Sequence, residues 1–189
     1  MGASPTFQLN MEYALPFRSI GHPAGAIARF LIIAIGLPIT AALVFLPDRL
    51  PATLAMMGAT FVLEYGGGAV GIGLGLPAAF VLFVLACFGV GITLLLFDLL
   101  RTLGHMSSRV AGFLKRSEDR ARHSRLLSRY GIYGLIPTVI IISIYVCPPA
   151  AWVFGWDRTR SLVLILAGYF SAALITTFTS VGIMRLLFP

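Results

Sequence analysis

The sequence predicts an all-α integral membrane protein with about three full transmembrane helices and two re-entrant broken helices, arranged as an inverted repeat. Hydrophobic residues make up 58% of the 189 positions and charged residues only 11%, whereas about a quarter of a water-soluble domain is charged. The mean hydropathy is +0.94. The apolar stretches suffice for about four to six membrane segments of roughly 20 residues each. Two of these stretches are interrupted by glycine or proline, which predicts the broken helices.

The chain begins with a predicted cytoplasmic segment, residues 1–25, which precedes the first membrane half, residues 26–100. The first full span covers residues 26–46. Gly36 and Pro38 lie near its centre. They predict a kink, because proline removes a backbone donor and crowds the preceding turn.

A broken segment and a second span complete the first half. Residues 52–100 are apolar apart from Glu64 and Asp98, and they are too many for one span. The glycine tract after Glu64 divides them. Residues 52–75 therefore either cross the membrane or enter it, break and return to the same face, while residues 77–97 form a full span.

A basic linker, residues 101–129, separates the two membrane halves. It holds eight of the chain's 14 lysines and arginines but only two acidic residues. The positive-inside rule therefore predicts that the linker is cytoplasmic. Its apolar residues recur at helical spacing and favour an amphipathic interfacial helix that contacts lipid headgroups, and we expect no nucleic-acid partner.

The second membrane half also begins with an interrupted segment. The Pro148-Pro149 pair breaks its helical pattern, and the basic residues Arg158 and Arg160 follow. A full crossing would place both arginines outside the cell, whereas a re-entrant path keeps them cytoplasmic, as the positive-inside rule favours. The second half, residues 130–189, thus comprises a re-entrant segment over 130–156 and a full span over 161–184.

The two halves show a weak internal repeat. A shift of eighty positions superposes Tyr65 on Tyr145 and Gly75 on Gly155. Paired segments interrupted by glycine or proline in corresponding halves are typical of inverted-repeat transporters, whose binding site lies at the midplane between the repeats.

Glu64 is the strongest candidate for a functional residue. It is the only charged side chain between Arg49 and Asp98, and a carboxylate within an apolar run costs several kcal/mol unless it is neutralised, partnered or hydrated. One hypothesis makes it a coupling carboxylate that exchanges a proton or cation with substrate. The alternative is a buried acid that only accepts hydrogen bonds from the broken backbone nearby.

The other candidates are aromatic, glycine, proline and arginine positions. Gly67, Gly71 and Gly75 are spaced by four, which favours tight helix packing. The substrate-pocket candidates are Tyr65, Gly68, Tyr145, Pro148, Pro149 and Trp152, and the headgroup or phosphate candidates are Arg129, Arg158 and Arg160. We expect no cofactor, no metal site and no enzyme activity, because no nucleophile–base pair or metal-ligand set is present in the sequence.

Three motifs carry a family resemblance. They are Glu64 with the glycine-rich run GAVGIGLGLP at 68–77, RYGIYG at 129–134, and GWDR at 155–158. On these motifs the chain resembles the small multidrug export family of prokaryotic membrane proteins, which is distantly similar to the DedA superfamily of lipid transporters. The resemblance implies re-entrant helices and supports Glu64 as an intramembrane acidic position.

These observations predict a small secondary transporter in the prokaryotic plasma membrane. We expect proton- or ion-coupled export of an amphipathic or cationic small molecule, by a multi-pass protein that forms a homodimer. One alternative is a DedA-like lipid or polyprenyl-phosphate translocase. The other is a structural membrane protein without transport activity.

Overall fold

The computed structural model describes residues 23–106 and 131–187, and within these ranges every regular element is helical. Three helices are long and apolar enough to cross a membrane, over Ala24–Phe45, Ala78–Thr102 and Arg158–Leu186. The prediction of an all-α chain with three helices long and apolar enough to span a membrane is therefore confirmed for the described residues. Residues 1–22 and 107–130, with most of the predicted basic linker, lie outside the described residues. The helices are α1 Pro23–Phe30, α2 Leu37–Phe45, α3 Leu50–Leu63, α4 Gly67–Gly73, α5 Ala78–Met106, α6 Leu135–Ile141, α7 Cys147–Val153 and α8 Arg158–Leu187.

The first span consists of α1 and α2, joined by the π-helical stretch Leu31–Gly36. The Leu37 N–H donates to the carbonyl of Ile32 rather than to that of the residue four positions back. This wider turn immediately precedes Pro38, whose ring would clash with the carbonyl of the fourth residue before it in a regular helix. The predicted distortion at Gly36 and Pro38 therefore takes the form of a π-helical turn.

Helices α3 and α4 form an antiparallel hairpin. A Cβ atom added to Gly67 would collide with Thr60, and one added to Gly71 would lie 2.6 Å from Met56 Sδ. At the open end of the hairpin, Arg49 Nη1 donates to the Leu74 carbonyl at 3.4 Å. Gly67 and Gly71 therefore let the two backbones approach closely, as the spacing of four predicts.

The second interrupted segment breaks earlier than the sequence predicts. Helix α6 ends at Ile141 and α7 begins at Cys147, so the break lies within residues 142–146. Pro148 and Pro149 belong to the first turn of α7. The expectation that this pair forms the break is wrong, because the first helical turn has no internal partner for its N–H groups and tolerates proline.

Several element boundaries of the first half recur eighty positions later in the second. Helix α4 covers Gly67–Gly73 and α7 covers Cys147–Val153, while α5 starts at Ala78 and α8 at Arg158. Helices α4 and α7 also end in the same motif, since Gly75 and Gly155 both have positive φ, 78° and 65°. At both ends the glycine N–H bonds back three residues and the next N–H bonds back five, which is a Schellman C-cap.

Helix α5 is the central helix, because it contacts α1 and α2 as well as α4, α7 and α8. Two glycines of α5 let the neighbouring helices pack closely against it. A Cβ at Gly91 would lie 2.9 Å from Ala34 Cβ, and one at Gly89 would lie 2.6 Å from Tyr169 Cδ1. The N-terminus of α8 joins the C-terminal part of α5 through Arg158 and Asp98. Helices α5 and α8 are therefore antiparallel.

The bundle has two ends, which we name by one residue each. The Asp98 end holds Arg29, Asp98 and Arg158, which meet in ion pairs. The Arg49 end holds Arg49 and the open end of the α3–α4 hairpin.

Candidate functional site

The backbone of Glu64 is strained at the tip of the α3–α4 hairpin. Its φ is 54°, and it is the only residue other than glycine with positive φ among those described. Its ψ of −122° lies outside the small left-handed region that side chains tolerate. A short 3₁₀ turn, Glu64–Gly66, then leads into α4. Strain of this kind costs about 1–3 kcal/mol and persists where the surrounding structure imposes it.

The Glu64 carboxylate bonds to the break of the second segment. Its Oε1 accepts a hydrogen bond from Ser143 Oγ, and its Oε2 accepts one from the Ile144 N–H at 3.0 Å. The Tyr145 N–H in turn donates to Ser143 Oγ at 3.0 Å. The Ser143 hydroxyl proton is therefore directed at Glu64, and both carboxylate oxygens act as acceptors.

Two tyrosines, one in each interrupted segment, donate hydrogen bonds to the opposite segment. Tyr65 OH donates to the Ile140 carbonyl at 2.8 Å, and Tyr145 OH donates to the Phe61 carbonyl at 2.8 Å. Each tyrosine thus donates to a carbonyl in the last turn of a helix of the opposite segment, α6 for Tyr65 and α3 for Tyr145. Carbonyls in the last turn of a helix have no N–H partner within the helix. We refer to residues 61–66 and 140–146 as the tip junction.

The tip junction lies well inside the bundle along its axis, since the 14 residues of α3 place Glu64 about 20 Å from the Arg49 end. Glu64 is half-buried. Val62 and Ile141, which flank the two breaks, are 80% and 79% exposed. A polar, hydrogen-bonded centre is therefore surrounded by apolar side chains that a bilayer would cover.

No basic side chain neutralises Glu64 among the residues whose side chains the structure describes. The ion pairs described there both belong to Asp98. Among the same residues, His, Cys, Asp and Glu form no group of three or more that would hold a metal ion. The described partners of the Glu64 carboxylate are therefore hydrogen-bond donors, the Ser143 hydroxyl and the Ile144 N–H.

The remaining pocket candidates lie within packed helices and outside the tip junction. Gly68 is buried, and a Cβ there would lie 3.1 Å from both Leu85 Cδ1 and Thr177 Oγ1. Pro148, Pro149 and Trp152 belong to α7. The hydrogen bonds described above join Glu64, Tyr65 and Tyr145 into one set and do not include those four residues.

One of the three headgroup candidates, Arg158, belongs to a second polar cluster at the Asp98 end. Arg158 Nη2 donates to Asp98 Oδ1, and Arg29 Nη2 lies beside Asp98 Oδ2, both at 2.8 Å. Asp98 is 15% exposed, whereas the two arginines are 42% and 46% exposed. One carboxylate between two guanidinium groups leaves a net positive charge.

The other two predicted arginines do not join this ion pair. The backbone N–H of Arg160 donates to Asp157 Oδ1 at 2.8 Å, so Asp157 caps the N-terminus of α8. Arg129 lies outside the described residues.

Comparisons of the chain with protein-family models, curated proteins and solved structures found no match. The physical features of the site therefore carry the functional argument.

Ser143, Arg29 and Asp98 are site residues that were not predicted from the sequence. Ser143 lies two residues before Tyr145 in an apolar run. A hydroxyl in such a run, close to a predicted helix break, could have been recognised from the sequence as a candidate site residue. The pairing of Arg29 with Asp98 had no local signal, because it joins the start of the first span to the end of the second.

Proposed function

We propose that the protein is a small secondary membrane transporter in which Glu64 couples proton or ion movement to export of an amphipathic or cationic small molecule. The observation that carries this proposal is the hydrogen-bonded contact of Glu64 with Ser143 and Ile144. It joins two helix breaks deep inside an apolar bundle. Transporters with paired broken helices place their substrate and ion sites at such a position.

The paired geometry supports re-entrant segments arranged as an inverted repeat. The α3–α4 hairpin opens at the Arg49 end, whereas α7 leads directly to Arg158 at the Asp98 end. The breaks therefore approach each other from opposite ends of the bundle. The common offset of eighty positions and the antiparallel course of α5 and α8 are what an inverted repeat requires.

The hydrogen-bond pattern supplies a coupling mechanism. Both oxygens of Glu64 accept hydrogen bonds, and one donor is a backbone N–H that cannot reverse its role. Protonation of Oε2 would therefore set a donor against a donor, so the proton is taken up on Oε1, where the Ser143 hydroxyl must turn its own proton away and accept instead. Proton uptake thus reverses the Glu64–Ser143 hydrogen bond, so that the charge state of Glu64 and the contact between the two breaks are linked.

The decisive test compares Glu64→Gln with Asp48→Asn in proteoliposomes. Asp48 is exposed at the Arg49 end, so its substitution removes the same charge without altering the tip junction. With ethidium as the probe cation, an imposed pH gradient should drive its movement in wild type and in Asp48→Asn. Transport in Glu64→Gln should fall to the rate of empty liposomes, because the neutral amide cannot exchange a proton. Undiminished pH-driven transport by Glu64→Gln contradicts the coupling role.

A lipid or polyprenyl-phosphate translocase is the second candidate, and the net positive charge around Asp98 favours it. Guanidinium groups bind phosphate through bidentate hydrogen bonds, and Arg29 and Arg158 are partly exposed where the spans end. Under this function, Arg29→Ala and Arg158→Ala should weaken binding of anionic lipid vesicles more than Glu64→Gln does. Arg185→Ala, which removes an exposed arginine from the opposite end of α8, is the matched control.

Location in a prokaryotic plasma membrane and assembly as a homodimer remain parts of the proposal. Three spanning helices enclose little volume of their own, and a second copy would enclose more of the space beside the tip junction. Cross-linking in native membranes tests the dimer directly.

A further inference from the structure

Three buried side-chain oxygens lack a hydrogen-bond partner among the described residues, and all three belong to α8. They are Ser161 Oγ, Tyr169 OH and Thr177 Oγ1. Every fourth residue of α8 from Ser161 to Thr177 is fully buried. A buried hydroxyl without a partner is costly, so each such group calls for a water, an ion or a functional explanation.

Tyr169 is the member of this set that lies beside the tip junction. The Glu64–Gly66 turn contacts α8, and the Tyr169 ring packs edge-on to the Tyr65 ring with centroids 6.4 Å apart. On its other side the ring lies against Gly89, where a Cβ would come within 2.6 Å. The ring is therefore held in place from both sides, while its fully buried hydroxyl is unpaired.

We propose that Tyr169 is a third component of the site, whose hydroxyl holds an ordered water molecule against the Glu64 carboxylate. A carboxylate offers about four lone-pair positions, and the described partners of Glu64 use two of them. A water that accepts from Tyr169 and donates to Glu64 satisfies both groups, and a buried water needs two to four polar partners of this kind. The water gives the ionised carboxylate a third hydrogen bond and so favours its charged form.

This inference rests on the proposed function, since it names a group that sets the pH at which the coupling carboxylate takes up its proton. It also adds a helix to the site: α8 contributes the hydroxyl that holds the water, whereas the two breaks contribute the groups that hold the carboxylate. The titratable side chains around Glu64 are Tyr65 in its own turn, Tyr145 at the opposing break, Cys147 at the start of α7, and Tyr169 in α8.

The test follows the protonation of Glu64 without needing a substrate. Dicyclohexylcarbodiimide labels protonated carboxyl groups in apolar surroundings, and intact mass reports the labelled fraction across a pH series. The Glu64→Gln variant defines the background. In Tyr169→Phe the pH of half-maximal labelling should rise by about half to one pH unit, because a hydrogen bond to the ionised form has been lost.

Tyr133→Phe is the matched control, because it removes the same hydroxyl from a side chain that is 71% exposed. It should leave the labelling profile unchanged. Thermal unfolding in detergent gives a second measurement: any drop in the melting temperature of Tyr169→Phe should be small and should accompany the labelling shift, because the hydroxyl bonds to water and not directly to protein.

Identical labelling profiles for Tyr169→Phe and wild type overturn the inference, as does a lowered melting temperature without a change in labelling. Absence of Glu64 labelling at every pH also overturns it, because no proton then reaches the carboxylate. The proposed function is judged separately by pH-driven transport, so the two can fail independently.

Discussion

At the scale of single residues, Glu64 combines backbone strain with a full set of directed hydrogen bonds. Its positive φ favours glycine, yet the chain has a carboxylate there that reaches Ser143 and Ile144 on the opposing break. A strained residue is retained where its side chain does something that an unstrained alternative would not. The reciprocal tyrosines Tyr65 and Tyr145 then hold the two breaks in register.

The tyrosine pair gives a prediction about stability. Tyr65→Phe and Tyr145→Phe should each lower the free energy of unfolding by about 1 kcal/mol, because each leaves a carbonyl in the tip junction without its donor. The effects should be similar in size, since both bonds are 2.8 Å long and both end on a carbonyl in the last turn of a helix. Unfolding in mixed detergent micelles measures both. Tyr133→Phe, on an exposed ring, should change nothing, and a loss confined to one of the two paired tyrosines would contradict their equivalence.

At the scale of helices, glycine decides how closely the broken segments pack. Gly71 of α4 faces Met56 and Val81, and a Cβ would lie 2.6 Å and 2.9 Å from their side chains. Gly58 of α3 has no atom within 4 Å of the same added carbon. The two glycines lie on one hairpin and differ in whether a neighbour occupies the space beside them.

This difference predicts opposite outcomes for one substitution. Gly71→Ala should destabilise the protein by about 1–3 kcal/mol, because the methyl group forces α4 away from α3 and α5. Gly58→Ala should be neutral or stabilise by up to about 1 kcal/mol, because alanine is the better helix former. The measurement is unfolding in mixed micelles. A stable Gly71→Ala protein would show that α4 does not pack in the described position.

At the scale of the whole molecule, the ends of the elements define the expected topology. The three spans place Arg29, Asp98 and Arg158 together, and the predicted basic linker follows α5 in the sequence. The positive-inside rule therefore assigns the Asp98 end to the cytoplasm. The Arg49 end, with both ends of the α3–α4 hairpin, would then face outside.

Cysteine accessibility checks this topology. In a background without Cys87 and Cys147, single cysteines at Asp48 and Leu74 should both react with an impermeant thiol reagent added outside intact cells. A cysteine at Asp157 should react only after the cells are opened. Arg185, at the far end of α8, should behave like Asp48. If Asp48 and Leu74 label from opposite faces, residues 50–73 cross the membrane and are not re-entrant.

The sequence by itself determined the membrane class, the number of spanning helices and the singular position of Glu64. Those features depend on composition, hydropathy and one charge in an apolar run, which are local properties of the chain. The offset of eighty was also visible in Tyr65 with Tyr145 and in Gly75 with Gly155, because helix breaks and C-caps need particular residues.

Tertiary structure alone decided what Glu64 contacts and where the second break lies. Ser143 and Ile144 are about eighty residues from Glu64, and no periodicity in the sequence encodes a pairing over that distance. Pro148 and Pro149 predicted a break but stand in the first turn of α7, since proline is compatible with a helix start as well as with a helix end. The unpaired hydroxyl of Tyr169 became visible only when the packing of α8 against the tip junction was known.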